Sequence, residues 1–343
     1  MPDQSPGQHE QSPLADGQVP DVSVIVPARN EIASIDRCLD SILSQTGPRL
    51  EVVVVDNGST DGTTDRLHAR AAADPRLVVL SNPRPSIPAS LNMAVAAARG
   101  TWLVRVDAHS VIPPGYVERA VSRLAEGRWS GVGGRKTAVA QTAAGQAVAS
   151  VLNSRLAVGG SMYHYGTVEG VVDHIPFGAY RTETVRRLGG WDEDVLNNED
   201  FEFDQRLRAT APLLFDPELE ILWNSRETVG QLFRQYRRYG RGKPGVVARH
   251  PRSTKLRHLG PPALVLWLAA AVGVSARRPV VGLLAVAPYA AVVGAASTAI
   301  VRSAPATADR KAVPAALVAM QVGWGIGFWQ GVVDVLRARR SRS

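Results

Sequence analysis

Glu51-Val-Val-Val-Val-Asp56-Asn-Gly-Ser-Thr-Asp-Gly62 is the stretch whose reading decides the fold. Four consecutive valines cannot alternate between a wet and a dry face, so the run suits a strand covered on both sides, as in parallel sheets packed between helices. It breaks at once into Asp, Asn, Gly, Ser and Thr, the residues of tight turns, and a helical pattern then runs from Thr63 to Ala73. The unit recurs on either side. Val22-Ser-Val-Ile-Val26 precedes a helical stretch at Ser34–Ser44, Leu77-Val-Val-Leu80 precedes one at Ala89–Ala98, and Trp102-Leu-Val-Arg-Val106 follows. This alternation predicts a doubly wound, mostly parallel α/β sheet. Ligands of such sheets bind beyond the carboxyl ends of the strands, so the residues just after each strand are the candidates for chemistry.

The chain has 343 residues, 45% of them hydrophobic, enough for one domain with a sizeable core and something more. A net charge of +8 calls for an anionic partner, and nucleic acid, phospholipid and phosphorylated substrate all satisfy it. The single Cys38 excludes an internal disulfide and a cysteine zinc site, and reads as a small core residue. Residues 1–20 are polar, without an apolar leader, and are expected to be a disordered tail. The first folded segment is then expected in the cytosol. The α/β domain is expected over residues 21–227, and a basic juxtamembrane segment over 228–258, where Thr228–Arg257 holds nine Lys or Arg and no acid. Residues 259–336 form a membrane region and 337–343 a basic tail. Pro279–Val301 is uncharged for 23 residues and Ala312–Val333 for 22, each long enough to cross a bilayer. Leu259–Ala276 is shorter, opens with Pro261-Pro262 and suits an interfacial helix. Two crossings keep Arg337, Arg339, Arg340 and Arg342 on the side of the basic segment, as the positive-inside tendency asks. Basic residues that abut membrane segments suit anionic lipid, Arg249, Arg252, Lys255 and Arg257 above all, and disfavour nucleic acid.

The first strand ends in Pro27-Ala-Arg-Asn-Glu31, a polar turn whose following helix offers free amides to a phosphate. Neither G-x-G-x-x-G nor the P-loop pattern is present, which disfavours a dinucleotide site and excludes a P-loop. Asp56, at the end of the valine run, can accept from a base N–H or a ribose hydroxyl, and Ser59 or Asp61 can cap the next helix. Asp107 and His109, two residues apart after the fourth strand, can point the same way and bind one divalent cation. Oxygen and imidazole donors suit Mg²⁺ or Mn²⁺ on a diphosphate. In Asn197-Asn-Glu-Asp-Phe-Glu-Phe-Asp204, helical spacing puts Asp200 and Asp204 on one face, and one well-placed carboxylate suffices for a general base. Gln235-Tyr-Arg-Arg-Tyr-Gly-Arg-Gly-Lys243 is basic and aromatic, and lipid attraction does not explain its Gln and paired Tyr.

Together these segments resemble the family 2 glycosyltransferases of the GT-A fold, over roughly Asp21–Lys243. Val22–Glu31 is similar to the family's opening strand, and Asp56–Thr63 to its second signature. Asn57 stands where the family has a second Asp, so the base-binding role passes to Asp56 alone. Asp107-Ala-His109 takes the place of the metal-binding D-x-D. Glu199-Asp200 resembles the pair whose Asp is the catalytic base, and Gln235–Tyr239 resembles Q-x-x-R-W with Tyr for Trp. Gly133-Gly-Arg135 and Pro176-Phe-Gly-Ala179 resemble loops that line the donor sugar. With its apolar C-terminal segments, the chain looks most like the membrane-anchored exopolysaccharide subgroup of succinoglycan type.

The resemblance implies a nucleotide-sugar donor, a saccharide or lipid-linked envelope acceptor, a divalent cation and a single displacement with inversion. Pro27, Ala28, Arg29, Glu31, Asp56, Asp107, Gly134 and Arg135 would hold the donor, and Asp107 and His109 the metal. Asp200 would be the base, with Glu199, Gln235, Arg238, Tyr239 and Lys243 near acceptor and diphosphate. One rival is a sugar-phosphate nucleotidyltransferase, whose Gly-rich basic loop after the first strand is absent. The other is a membrane scaffold that binds the sugar nucleotide without turnover.

Overall fold

The computed structural model describes residues 18–195, 197–251, 254 and 258–340, with the side chains of Arg339 and Arg340 not among them. The expected tail up to residue 17, and Arg252, Lys255, Arg257 and Arg342 of the basic segments, lie outside the described residues. Contacts divide the chain into two compact units. One comprises the chain up to Gly134 with Glu169–Trp191 and Arg206–Ile221; the other comprises Arg135–Val168, Asp192–Gln205 and the chain from Leu222 on.

The first unit is built on β1 (Val22–Ala28), α1 (Ile35–Leu43), β2 (Leu50–Asp56), α2 (Thr63–Ala73), β3 (Leu77–Ser81), α3 (Ile87–Ala97) and β4 (Trp102–Arg105). After these come β5 (Ser110–Val111), α4 (Tyr116–Ala125), β6 (Gly131–Val139), β7 (Gly170–Val172), β8 (Ala179–Arg181), α5 (Thr182–Arg187) and β9 (Leu213–Asn224). Among the described residues the strands form one nine-stranded sheet, ordered β3-β2-β1-β4-β8-β6-β9-β5 with β7 on β9. The half from β3 to β4 is parallel, as expected. β8 pairs antiparallel with β4 and β6, and β7 with β9. Every residue of β2 is buried, as the valine run demands. The chain winds from β1 to β3 on one side and resumes at β4 on the other, so the switch point where such sheets bind ligands lies between β1 and β4. Cys38 is buried in this core, and burial pushes its thiol up.

Two buried acids pin the sheet. Glu51 accepts from Ser23 Oγ at 2.6 Å and from Arg99 N and Nε at 2.6 and 2.8 Å. Asp216 on β9 accepts from Arg119 Nε at 2.8 Å and Arg123 Nε at 2.9 Å, both on α4. Gly134 faces the backbone of β9 so closely that a Cβ would stand 1.8 Å from Leu219 O. Its glycine is a packing requirement of the sheet.

The second unit holds α6 (Ala143–Leu152), α7 (Arg155–Val158), α8 (Glu199–Leu207), α9 (Val229–Arg249), α10 (Gly260–Ser275), α11 (Pro279–Ser303) and α12 (Ala312–Arg340). Its core joins Ala147, Val148 and Leu152 of α6 to Val293 and Ile300 of α11 and to Val313, Leu317 and Met320 of α12. Val229–Arg249 of the basic segment forms a single helix, α9, with Pro244 inside it. α9 lies against α12 along a glycine seam. Cβ atoms added at Gly323, Gly327 and Gly331 would stand 2.8, 2.0 and 2.2 Å from the carbonyl oxygens of Phe233, Arg237 and Arg241. From the other side, one at Gly240 would stand 2.0 Å from Trp324 O. Small residues four apart let two helices touch backbone to backbone. Arg241 then reaches Asp334 with Nε–Oδ2 at 2.6 Å and Nη2–Oδ1 at 3.2 Å. Pro279–Ser303 and Ala312–Ala338 are long and apolar enough to cross a membrane, and α10, at 16 residues, is shorter.

Burial alone would raise the Asp216 carboxyl, but the hydrogen bonds from Arg119 and Arg123 outweigh it and hold the group below its ordinary 3.8. A carboxyl lowered on folding lends stability that is complete above its unfolded value and lost as pH falls through its folded one. Asp216→Asn should therefore cost about 3 kcal/mol at neutral pH and progressively less as the pH falls below the ordinary 3.8 and through the lowered folded value. Urea unfolding of both proteins across that range would check it.

Candidate functional site

The candidate residues fall into two groups, one in each unit. In the first, the ends of β1 and β2 lie level, with Ala28 paired to Asp56, and the two loops that leave them are cross-bonded. Asn30, in the left-handed region at φ 55°, donates its N–H to Ser59 Oγ at 2.8 Å and accepts from Thr60 N at 2.8 Å. Glu31 N donates to Thr63 Oγ1 at 2.8 Å, and Ile32 N to Asp61 Oδ2 at 3.1 Å. The helix cap differs from expectation. Gly62, at φ 95°, is the N-cap of α2, and neither Ser59 nor Asp61 holds that position. The tight turn needs a left-handed residue there, which glycine supplies. Ser59 stitches the second loop to the first, and Asp61 does the same while also accepting from Thr63 N, the first amide of α2, at 3.1 Å.

Asp56 is buried, and its carboxylate accepts from Ser59 Oγ at 2.5 Å and Thr64 Oγ1 at 2.8 Å. Ser59 N also lies 3.3 Å from each of its oxygens, so the carboxylate closes its own turn. Asn57 is buried and accepts from Asn82 Nδ2 at 3.0 Å and Ser90 Oγ at 2.6 Å, which ties the loop to α3. Pro27 is half-buried, Ala28 buried and Arg29 exposed.

Asp107 and His109 follow β4 with their side chains partly exposed, while Ala108 between them points into the core. His109 Nδ1 lies 3.0 Å from Glu31 Oε1, and Glu31 Oε2 accepts from Ser34 Oγ at 2.6 Å. A carboxylate on one ring nitrogen fixes the ring and its tautomer, as partners of metal-bound histidines do. Arg105, buried, places Nε 3.1 Å from Asp107 Oδ1, and its guanidinium lies 5.8 Å from the Phe177 ring. The Pro176–Ala179 loop reaches it through Gly178 O, which accepts from Arg105 N at 3.1 Å. Phe177 sits there at φ 54°. The sequence reading missed Arg105, whose signal is a charge inside an otherwise apolar strand. No group of three His, Cys, Asp or Glu that could hold a metal occurs among the described residues. An Asp–His pair still fits Mg²⁺ or Mn²⁺, because such ions are held by one or two protein ligands together with substrate phosphates.

In the second unit, Asp200 lies in the first turn of α8 and is half-buried, whereas Asp204 is fully buried. Of the two acids on that face, Asp200 is the one open to a substrate. Glu199 beside it is half-buried, as is Arg135 on β6. The turn before α8 is clamped to α9. Asn198 Nδ2 donates to Tyr239 O at 3.0 Å, and a Cβ at Gly242 would stand 2.7 Å from Asn197 Cβ. Gln235 is buried and donates from Nε2 to Tyr239 Oη at 3.0 Å, while Arg238 is exposed. Lys243 departs from its expected reach toward a diphosphate. It is buried, with its ammonium 3.8 Å above the centre of the Phe201 ring, so in this structure it braces α8 against α9.

Comparison with known proteins follows the same outline. Residues 23–150 match the family model "Glycosyl transferase family 2". The succinoglycan biosynthesis protein ExoA of Rhizobium meliloti is 32% identical over 321 residues, covering 92% of this chain and 96% of that protein. Hyaluronan synthase of Pasteurella multocida is 37% identical over 101 residues, 29% of this chain and 10% of the synthase. Among solved structures, a mannosyltransferase of Pyrobaculum calidifontis in complex with GDP-Man and Mn2+ shares the fold at a TM-score of 0.61 and 23% identity, over 90% of this chain and 88% of that one.

Gly242→Ala should wedge the turn before α8 away from α9. Turnover should fall about 10- to 100-fold, the scale on which small misplacements act, and the thermal midpoint should fall as overpacking costs about 1–3 kcal/mol. Steady-state kinetics beside a melting curve would check both.

Proposed function

The chain belongs to glycosyl transferase family 2, and from that premise we propose that it adds one sugar per event, with inversion, from a nucleoside-diphosphate sugar to a lipid-linked saccharide of exopolysaccharide type. Glycosyltransferase activity comes with the family. The observation that carries the finer reading is the Asp107–His109 pair at the switch point of the sheet, with Glu31 locked onto the histidine ring.

The loops after β1 and β2 supply the nucleoside pocket, with Asp56 at the end of β2 as the acid that meets base or ribose when its turn opens to the donor. Asp107 and His109 would hold Mg²⁺ or Mn²⁺ on the diphosphate, where a bound cation neutralises charge on the leaving group. Arg105 balances the Asp107 charge from behind and keeps its carboxylate in place. Asp200 takes the proton of the acceptor hydroxyl, and the freed oxygen attacks the anomeric carbon from the face opposite the leaving nucleotide. No protein nucleophile is required, so the configuration inverts. Arg238, exposed on α9, suits an anionic group of donor or acceptor. The apolar helices suit an enzyme working at a cell membrane, with its catalytic residues and C-terminal arginines on the cytoplasmic side. No finding favours the nucleotidyltransferase or the scaffold.

The direct test is a donor screen with radiolabelled nucleotide sugars and the protein in detergent, with Mn²⁺ or Mg²⁺ added. Absence of transfer from every donor would refute the reading. Asp200→Asn should lower transfer by about 10²- to 10⁴-fold, as loss of a general base does, while donor binding by calorimetry stays near wild type. Asp107→Ala should lose the metal-dependent part of donor binding. Undiminished activity of the wild-type enzyme in excess chelator would refute a metal role for Asp107 and His109.

A further inference from the structure

Length and composition make both α11 and α12 eligible to enter a bilayer. Burial separates them. In their most apolar stretches, 11% of α11 is buried against 44% of α12. α12 is sheltered along both halves. Its first half gives Val313, Ala316, Leu317 and Met320 to the core of its unit, and the loop before it is tied to α6. There Asp309 N donates to Ala143 O at 2.8 Å and Thr307 Oγ1 to Gln146 Oε1 at 2.6 Å. Its second half is closed by α9 along Gly323, Gly327 and Gly331. α9 carries Arg234, Arg237, Arg238 and Arg241 over that length. A bilayer crossing by α12 would draw these arginines into hydrocarbon, where charged side chains are rare and costly.

The neighbouring pair is the opposite case. α10 and α11 pack on each other, with Trp267 Nε1 donating to Ala285 O at 3.3 Å and Gly282 seated against Ser275. Their outer sides carry Leu266, Trp267, Val272, Leu283, Leu284 and Val292, each more than half exposed. Neither helix holds a charge before Arg302. The charges sit at the ends, with Arg277 and Arg278 in the turn between them and Arg302, Arg310 and Lys311 after α11. Apolar flanks bounded by arginines match a bilayer with anionic headgroups. We infer that the α10–α11 pair is the surface by which this protein embeds in lipid, and that α12 stays on the protein side as the strut joining that pair to α9. This rests on the membrane reading above and assigns it to particular helices.

The test uses the full chain with single cysteines carrying an environment-sensitive fluorophore, which is practicable because Cys38 is fully buried. The variants are Val272→Cys, Leu284→Cys and Val292→Cys on the pair and Val333→Cys on an exposed position of α12. In vesicles of phosphatidylethanolamine and phosphatidylglycerol, the first three labels should shift to the blue, be quenched by nitroxide lipids and resist aqueous iodide. The label at position 333 should remain open to iodide. Nitroxide quenching at 333 as strong as at 292, or iodide quenching at 284 and 292 as strong as at 333, would overturn the assignment. Sugar transfer to a soluble acceptor, measured on the same samples, separates the two readings. Transfer with water-exposed labels sinks the surface alone. Lipid-buried labels without transfer from any donor leave the surface standing and sink the enzyme reading.

Discussion

The parallel register of β1 and β2 brings the two strands to a level end, and in this protein that register organises the chemistry. Ala28 and Asp56 are paired at the ends of β1 and β2, so the loops that follow leave the sheet side by side with unpaired amides. Each loop answers the other: Asn30 with Ser59 and Thr60, Ile32 with Asp61, Glu31 with Thr63. These bonds lie at exposed or part-buried positions, where each contributes about 0.5–1.5 kcal/mol, so the side chains that make them are under structural demand. Glu31 carries the chain of dependence one step further, since its backbone is held by the second loop and its carboxylate holds His109.

The second unit uses a different device to the same end. Three glycines on α12 admit the backbone of α9, and α9 in turn admits the turn that opens α8 through Gly242. The position of Asp200 is thus fixed by contacts that have no room for a methyl group. Lys243, laid over Phe201, closes the same joint from its other side.

The parallel half of the sheet was legible because its signals are local. Runs such as Val52–Val55 can be read without knowing their neighbours, and the limits of α2 fall where the pattern put them. The antiparallel half was not. β8 has three residues, and β6 reads Gly-Val-Gly-Gly-Arg-Lys-Thr-Ala-Val, whose glycines give no strand signal and whose packing need, such as that of Gly134 against Leu219, comes from a distant strand. The identity of the candidate site residues came from residue types at strand ends. Their support did not, because the partners are distant in sequence: Glu31 and His109 are 78 residues apart. Arg105 stands in sequence as one member of a strand, and the four-residue spacing of Gly323, Gly327 and Gly331 is hidden inside an apolar run.

The seam between α9 and α12 also sets an order of events during synthesis. The four parallel strands are all present once Arg105 has left the ribosome, and their pairing is short-range. α9 must wait, since Arg241 meets Asp334 only 93 residues later, and late contacts of this kind close slowly. In the interval α10 and α11 emerge with their apolar sides bare and no protein partner yet made for them. A nascent chain in that state is a substrate for whatever recognises hydrophobic helices at the tunnel exit. The glycine seam therefore closes only after the apolar pair has stood unsheltered for as long as the synthesis of α12 takes.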